Sequence, residues 1–245
     1  MYAVSPKPRA VVFDFFGTLT TACNRGPRHQ AIARGLGCDP ARFAAELDRT
    51  FYLRAAGRYG PPMEALRRVA HAAGGRPGYN QLADAAIDRV DAVRADVFLR
   101  TEAVAVLRDL SRRGIPAVVV SDCWYELPNF FPDLPIAPLL AGTVFSIDVG
   151  QCKPHPAMYL EACRRLRADP DECLYIGDGG SRELTGARDV GMLAVRLAAP
   201  DLAGHLAWHR ETGWSGPAVA TLADALTFLD RDATRAGSLR EAVPV

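Results

Sequence analysis

The 245 residues are 49% hydrophobic and 23% charged, enough apolar material to bury a full-sized core and too much for a disordered tail. With 29 basic and 28 acidic residues the net charge is +1, which gives no global attraction to nucleic acid or to an anionic membrane. No apolar run approaches the roughly 18 residues that span a bilayer, and the first ten residues lack the apolar stretch of a secretion signal. The six cysteines are scattered without a CxxC pair, the pattern of free thiols in a cytoplasmic protein.

The first element expected is a strand over residues 10–13 (AVVF), closed by Asp14 and the turn-forming Gly17. Residues 21–100 hold no convincing strand. They carry apolar residues at helical spacing, such as Phe43, Leu47 and Phe51, or Leu82, Ile87 and Val90. Pro40, Pro61, Pro62, Gly74, Gly75 and Pro77 punctuate that stretch into three or four helices, an inserted lid. From Cys23 to Arg100, 13 arginines stand against eight carboxylates, whereas the remainder has 16 basic and 20 acidic residues. A basic lid over an acidic core suits a small anionic substrate.

Helix and strand then alternate. Helical patterns cover residues 101–113, 155–167 and 181–190; Pro154 and Pro156 suit the start of the second, and Gly191 ends the third. Apolar runs at 115–120 (IPAVVV), 173–176 (CLYI) and 192–197 (MLAVRL) show little alternation, as strands covered on both faces do. Residues 217–229 read as a terminal helix and 231–245 as a loose tail. The order predicts an α/β fold, a doubly wound parallel sheet of Rossmann-like form with an all-helical insertion.

In such sheets ligands bind beyond the carboxyl ends of the strands. The residues there are Asp14 to Thr20, then Ser121 and Asp122, then Lys153, then Gly177 and Asp178 through Glu183. Singly, each has a structural explanation as a cap or turn. Together, in order, they put carboxylates, a hydroxyl and an ammonium on one edge. Only Lys7 and Lys153 are lysines among the 29 basic residues, so Lys153 is a candidate for a role arginine cannot fill.

These strings resemble the four ordered motifs of the haloacid dehalogenase (HAD) superfamily of hydrolases. VVFDFFGTL is similar to the first, VVVSD to the second, Lys153 in CKPHP to the third, and YIGDGGSRELTGARDVGM to the fourth. The resemblance implies a core of residues 1–21 and 101–245 and a helical cap domain of residues 22–100. It implies Asp14 as nucleophile, Ser121 as hydrogen-bond donor to the transferring group, and Lys153 as the neutralising cation. Mg²⁺ would be held by Asp14, the backbone carbonyl of Phe16 and Asp178, with Glu183 reaching it through water. Thr18, Ser121 and Asp122 would meet the substrate, as would Arg25 and Arg28 at the cap entrance. The expected protein is a cytoplasmic monomer or homodimer that acts on a small anionic substrate and binds neither nucleic acid nor membrane.

One position departs from the phosphatase pattern, which resembles DxDGT. Phe16 stands where its acid–base Asp would be, and losing such a group costs roughly 10²–10⁴-fold. Dehalogenases of the superfamily carry an aromatic there, in a pattern similar to DxYGTL, but their fourth motif lacks the metal-binding form seen here. The leading expectation is a Mg²⁺-dependent phosphatase of a small phosphorylated metabolite. The alternatives are a 2-haloacid dehalogenase-like enzyme and a non-hydrolytic binder of a ligand or partner. His155, two residues past Lys153, reads first as a helix-start residue and second as a proton-transfer substitute for Phe16. Cys123 and Cys152 read as buried thiols, and Trp124 as core packing.

Overall fold

The computed structural model describes residues 7–230. A six-stranded sheet forms its centre, from β1 (Ala10–Phe13), β2 (Ala117–Ser121), β3 (Gly142–Phe145), β4 (Cys173–Gly177), β5 (Leu193–Leu197) and β6 (Ala218–Val219). The spatial order is β3-β2-β1-β4-β5-β6, with every neighbouring pair parallel. β1 lies between β2 and β4, so Asp14, Asp122 and Asp178 leave three adjacent strands at the same edge. This is the α/β doubly wound parallel arrangement the sequence predicts.

Alternate residues of each strand feed two cores, as the two-residue period requires. Val11, Phe13, Val119, Leu174, Ile176 and Val195 face one layer, which includes α6 (Ala103–Arg112) and α11 (Leu222–Leu226). Ala10, Val12, Val118, Val120 and Tyr175 face the other, with α9 (Pro156–Leu166) and α10 (Glu183–Asp189). Burial on both faces explains why these strands show little polar alternation.

Between β1 and α6 lie five helices rather than three or four: α1 (Pro27–Gly35), α2 (Pro40–Arg49), α3 (Phe51–Ala55), α4 (Pro62–Ala72) and α5 (Tyr79–Ala95). The extra one, α3, is short and separated from α2 by Thr50 alone, so no Gly or Pro marks the break. Prolines open α1, α2 and α4, where the missing N–H costs nothing. The insertion has its own apolar cluster, built on Leu36, Phe43, Leu47, Leu66 and Val69. Trp124, from the loop after β2, packs into that cluster. Thr20 and Leu99 pair as an antiparallel bridge where the chain leaves and re-enters the core.

Two strands had no sequence signal. β3 has four residues, two of them only half-buried, and β6 has two. The expected terminal helix over 217–229 begins instead with β6, because the Pro217 carbonyl accepts a hydrogen bond from the Arg196 amide. The helix proper starts after Thr221, whose side chain caps the Asp224 amide. Residues 231–245 lie outside the described residues.

Candidate active site

Asp14 directly follows β1 and is buried beneath the helical insertion. The next residues turn sharply, with Gly17 at φ +80°, a conformation that disfavours any side chain. The turn brings the Thr18 hydroxyl back to donate to Asp14 Oδ2 at 2.9 Å. Lys153 Nζ donates to Asp14 Oδ1 at 2.6 Å and to Glu183 Oε2 at 2.5 Å. Lys153 is itself placed by Asp122, whose Oδ1 accepts from the Lys153 amide at 2.9 Å. The interaction holds the loop before α9 against the end of β2.

Glu183 is fully buried and has two donors besides Lys153: Tyr175 Oη reaches Oε2 and the Gly179 amide reaches Oε1, each at 2.9 Å. Its carboxylate lies over Gly177, and a Cβ there would collide with it. Asp178 Oδ1 accepts from the Gly180 amide at 3.0 Å, while Oδ2 is buried with no hydrogen-bond partner among the described residues. Ligand atoms of Asp14, Asp178 and Glu183 lie within 4.8 Å of one another.

Two of the three carboxylates thus share one buried ammonium, and the third, Asp178, has the Arg210 guanidinium and the His205 ring no nearer than 3.9 Å. Burial and then the Asp14 charge push the carboxyls of Asp178 and Glu183 up, Glu183 far above its ordinary value. Asp14 and Glu183 hold the Lys153 ammonium well above the usual range against its desolvation. Burial raises Asp122 to about 6. Such a cluster is short of positive charge. Hard carboxylate oxygens, one of them orphaned at Asp178, fit a divalent cation such as Mg²⁺.

A cavity of about 160 Å³ opens from these residues towards the insertion. Phe16, Asp122, Lys153 and Asp178 line its core end, and Arg25, Arg54, Arg89 and Trp124 are among the residues beyond. Arg25 therefore lies on the cavity, paired with Asp48 at 2.5 Å. Arg28 does not. It sits one turn-step from the inward-facing His29 on α1, which turns it to the surface, where Nη1 donates to the Asp91 carbonyl at 3.4 Å. Ser121 ends β2 fully buried, its Oγ without a partner among the described residues; its neighbour Asp122 is the one that lines the cavity. Thr18 is spent on Asp14.

His155 caps α9, with Nδ1 accepting from the Ala157 amide, and is exposed away from the cavity. The histidine packed on the Gly17 turn is His205, from the segment after β5, which lines the same cavity as Phe16. Its Nδ1 accepts from the Cys23 amide at 3.0 Å, so in the neutral ring the proton sits on Nε2. Nε2 lies 3.9 Å from Asp178 Oδ2 and so close to Gly17 that a Cβ there would come within 2.7 Å. His205 has no signal in the sequence, because it lies in an irregular stretch with no motif around it. Trp124 both packs in the core of the insertion and walls the cavity. All six cysteines are free thiols, and burial pushes Cys123 well up and Cys152 to about 12.

The geometry agrees with a family model for haloacid dehalogenase-like hydrolases, which matches residues 8–191. The chain belongs to this family of hydrolases. Among relatives of this HAD chain, glyceraldehyde 3-phosphate phosphatase of Methanopyrus kandleri is 41% identical over 54 residues, 22% of this chain and 23% of that one. Haloacid dehalogenase-like hydrolase domain-containing protein 3 of Bos taurus is 30% identical over 99 residues, 40% and 39% of the two chains. The matched stretches span well under half the length of either relative. Among solved structures, 2-haloacid dehalogenase of Pseudomonas syringae superposes with a TM-score of 0.66 at 22% identity, covering 91% of this chain and 99% of that one. A HAD phosphatase of Thermococcus onnurineus gives a TM-score of 0.58 at 19% identity, covering 90% and 97%. These likenesses show the shared HAD fold. Among the described residues no helix is long and apolar enough to cross a membrane.

Proposed function

We propose that this HAD hydrolase is a divalent-cation-dependent phosphatase of a small phosphorylated metabolite, working through an aspartyl-phosphate on Asp14. The observation that carries the reading is the trio Asp14, Asp178 and Glu183, buried together, with Lys153 bonded to Asp14 and Glu183 and with Asp178 approached, among the basic side chains of the described residues, only by Arg210 and His205, each at 3.9 Å. A carbon–halogen hydrolase needs one carboxylate nucleophile and gains nothing from two more facing it. The partial match to a curated phosphatase supports the same reading.

Asp14 is aimed by two hydrogen bonds, from Lys153 and Thr18, and so presents a fixed carboxylate to phosphorus. As the bond from Asp14 forms, the bond from phosphorus to the leaving oxygen breaks; water then hydrolyses the acyl phosphate and restores Asp14. Lys153 neutralises the nucleophile between attacks, and its compact ammonium fits between two carboxylates. Asp14, Asp178 and the Phe16 carbonyl would hold the cation, with Glu183 fixed behind them. Bound Mg²⁺ would supply charge stabilisation to the phosphoryl oxygens. His205 holds a proton at Nε2 against Gly17, on the cavity that a leaving oxygen would occupy.

Phe16 on the cavity wall favours the second reading, a dehalogenase, since halide leaves without a proton. The two are separated by assaying p-nitrophenyl phosphate with and without Mg²⁺ beside 2-chloropropionate with halide detection. Mg²⁺-dependent phosphate release that is lost in Asp14→Asn is expected. Halide release without phosphate release would overturn the phosphatase reading.

A further inference from the structure

The far end of the cavity holds two arginines that none of the reaction steps uses. Arg54 on α3 is 3% exposed; its Nε donates to Thr50 Oγ1 and its Nη2 to the Leu47 carbonyl. No carboxylate pairs with it among the described residues. Arg89 on α5 is 5% exposed and paired through Nε and Nη2 with Glu126, which leaves Nη1 buried with no partner among the described residues. Both guanidiniums lie over the Trp124 ring, 4.7 and 5.6 Å from its centroid. Burial and the neighbouring Arg89 charge lower Arg54 to about 10.

An unpaired buried guanidinium is costly to desolvate, and two beside each other repel. The remaining charges nearby do not resolve this. Arg25 is engaged by Asp48, Asp96 by His29, and Glu126 is spent on Arg89. The Trp124 ring offers each cation a face but no hydrogen-bond acceptor.

We infer that Arg54 and Arg89, packed on Trp124, form a carboxylate-binding subsite that receives the end of the substrate distal to Asp14. A planar carboxylate matches the guanidinium fork and would satisfy the orphaned Nη1 of Arg89. The substrate class is then a small phosphomonoester that carries a carboxylate. Its phosphate half rests on the phosphatase reading; its carboxylate half does not.

Isothermal titration of the turnover-blocked Asp14→Asn protein with Mg²⁺ compares 2-phosphoglycolate with ethyl phosphate, which has a similar skeleton and no carboxylate. The expected preference for 2-phosphoglycolate is at least about tenfold, the scale of one charge-assisted pair. In Asp14→Asn/Arg54→Met that ratio should fall to about one. Should that protein fail to fold, Asp14→Asn/Arg89→Met/Glu126→Leu, which leaves no unpaired buried carboxylate, takes its place, with the ratio expected to fall several-fold. Equal binding of the two esters, or a ratio that survives the arginine substitutions, overturns the subsite. Tighter binding of ethylene bisphosphate than of 2-phosphoglycolate would show a phosphate rather than a carboxylate subsite and overturn the assignment as well. Propionate alone should raise the melting temperature of the otherwise unaltered protein, and Arg54→Met should remove that shift. This arm holds even where p-nitrophenyl phosphate is not hydrolysed, so it separates failure of the subsite from failure of the phosphatase reading.

Discussion

Phe16 lies two residues beyond Asp14 on the cavity wall, and its ring has no proton to give. His205 Nε2 is the nearby group that has one, and it is buried and held in a single tautomer by the Cys23 amide. Replacing His205 by Ala should therefore slow hydrolysis of alkyl phosphates by roughly 10²-fold or more. Turnover of p-nitrophenyl phosphate should fall much less, because nitrophenolate departs as an anion. Equal losses on the two substrates would remove His205 from proton transfer.

Asp122 makes a pH prediction at the same scale. Its carboxyl titrates near 6 in the folded protein, above the ordinary value of about 3.9 for an unfolded Asp. The folded state thus binds more protons between those values, and stability falls as pH rises from about 4 through 6. Two units of difference correspond to roughly 2–3 kcal/mol. Asp122→Asn should flatten this slope in urea melts recorded at pH 4 and pH 7, while its Oδ1 still accepts from the Lys153 amide. An unchanged slope would place the titration elsewhere.

Among the elements, α5 and α7 (Glu126–Phe130) are joined by the Arg89–Glu126 pair, both side chains buried. Breaking a buried pair from one side leaves an uncompensated charge, at a cost of about 3–5 kcal/mol. Glu126→Leu should lower the unfolding free energy by that order. The double variant Arg89→Met/Glu126→Leu should recover most of it, since two apolar side chains replace two desolvated ions. Denaturant midpoints of the three proteins measure this, and a double variant as unstable as the single would refute it. The pairing also accounts for the position of Trp124, held between insertion and core by two cations.

For the whole molecule, the decisive contact is Arg100, at the point where the chain returns from the insertion. Its guanidinium donates to the carbonyls of Gly17 and Thr18 and pairs with Asp201 at 2.8 Å. Asp201 in turn accepts from the Ala22 amide. One side chain thus ties the turn after Asp14, the junction to the insertion and the segment bearing His205. Arg100→Ala should cost several kcal/mol of stability and reduce kcat along with it. Mg²⁺ binding acts at the same scale: at 100 times its dissociation constant it should stabilise the fold by about 2.7 kcal/mol. Asp178→Ala should abolish that rise in melting temperature.

The sequence alone determined the strands ending at Asp14, Ser121 and Gly177 and the order of the motif residues. A strand buried on both faces must be a short apolar run, and a parallel sheet must put its functional residues after such runs. Lys153 stood out because arginine replaces lysine at nearly every other basic position. Tertiary structure decided the rest. It turned Arg28 outward and His29 inward, one helical step apart. It brought His205 to Gly17 across nearly 190 positions, and it set Arg54 and Arg89 on Trp124. Those contacts join residues distant in sequence and without local periodicity, so no window of the chain could contain them. Only the close packing of the insertion on the sheet edge selects which side chains share the buried cavity with Asp14.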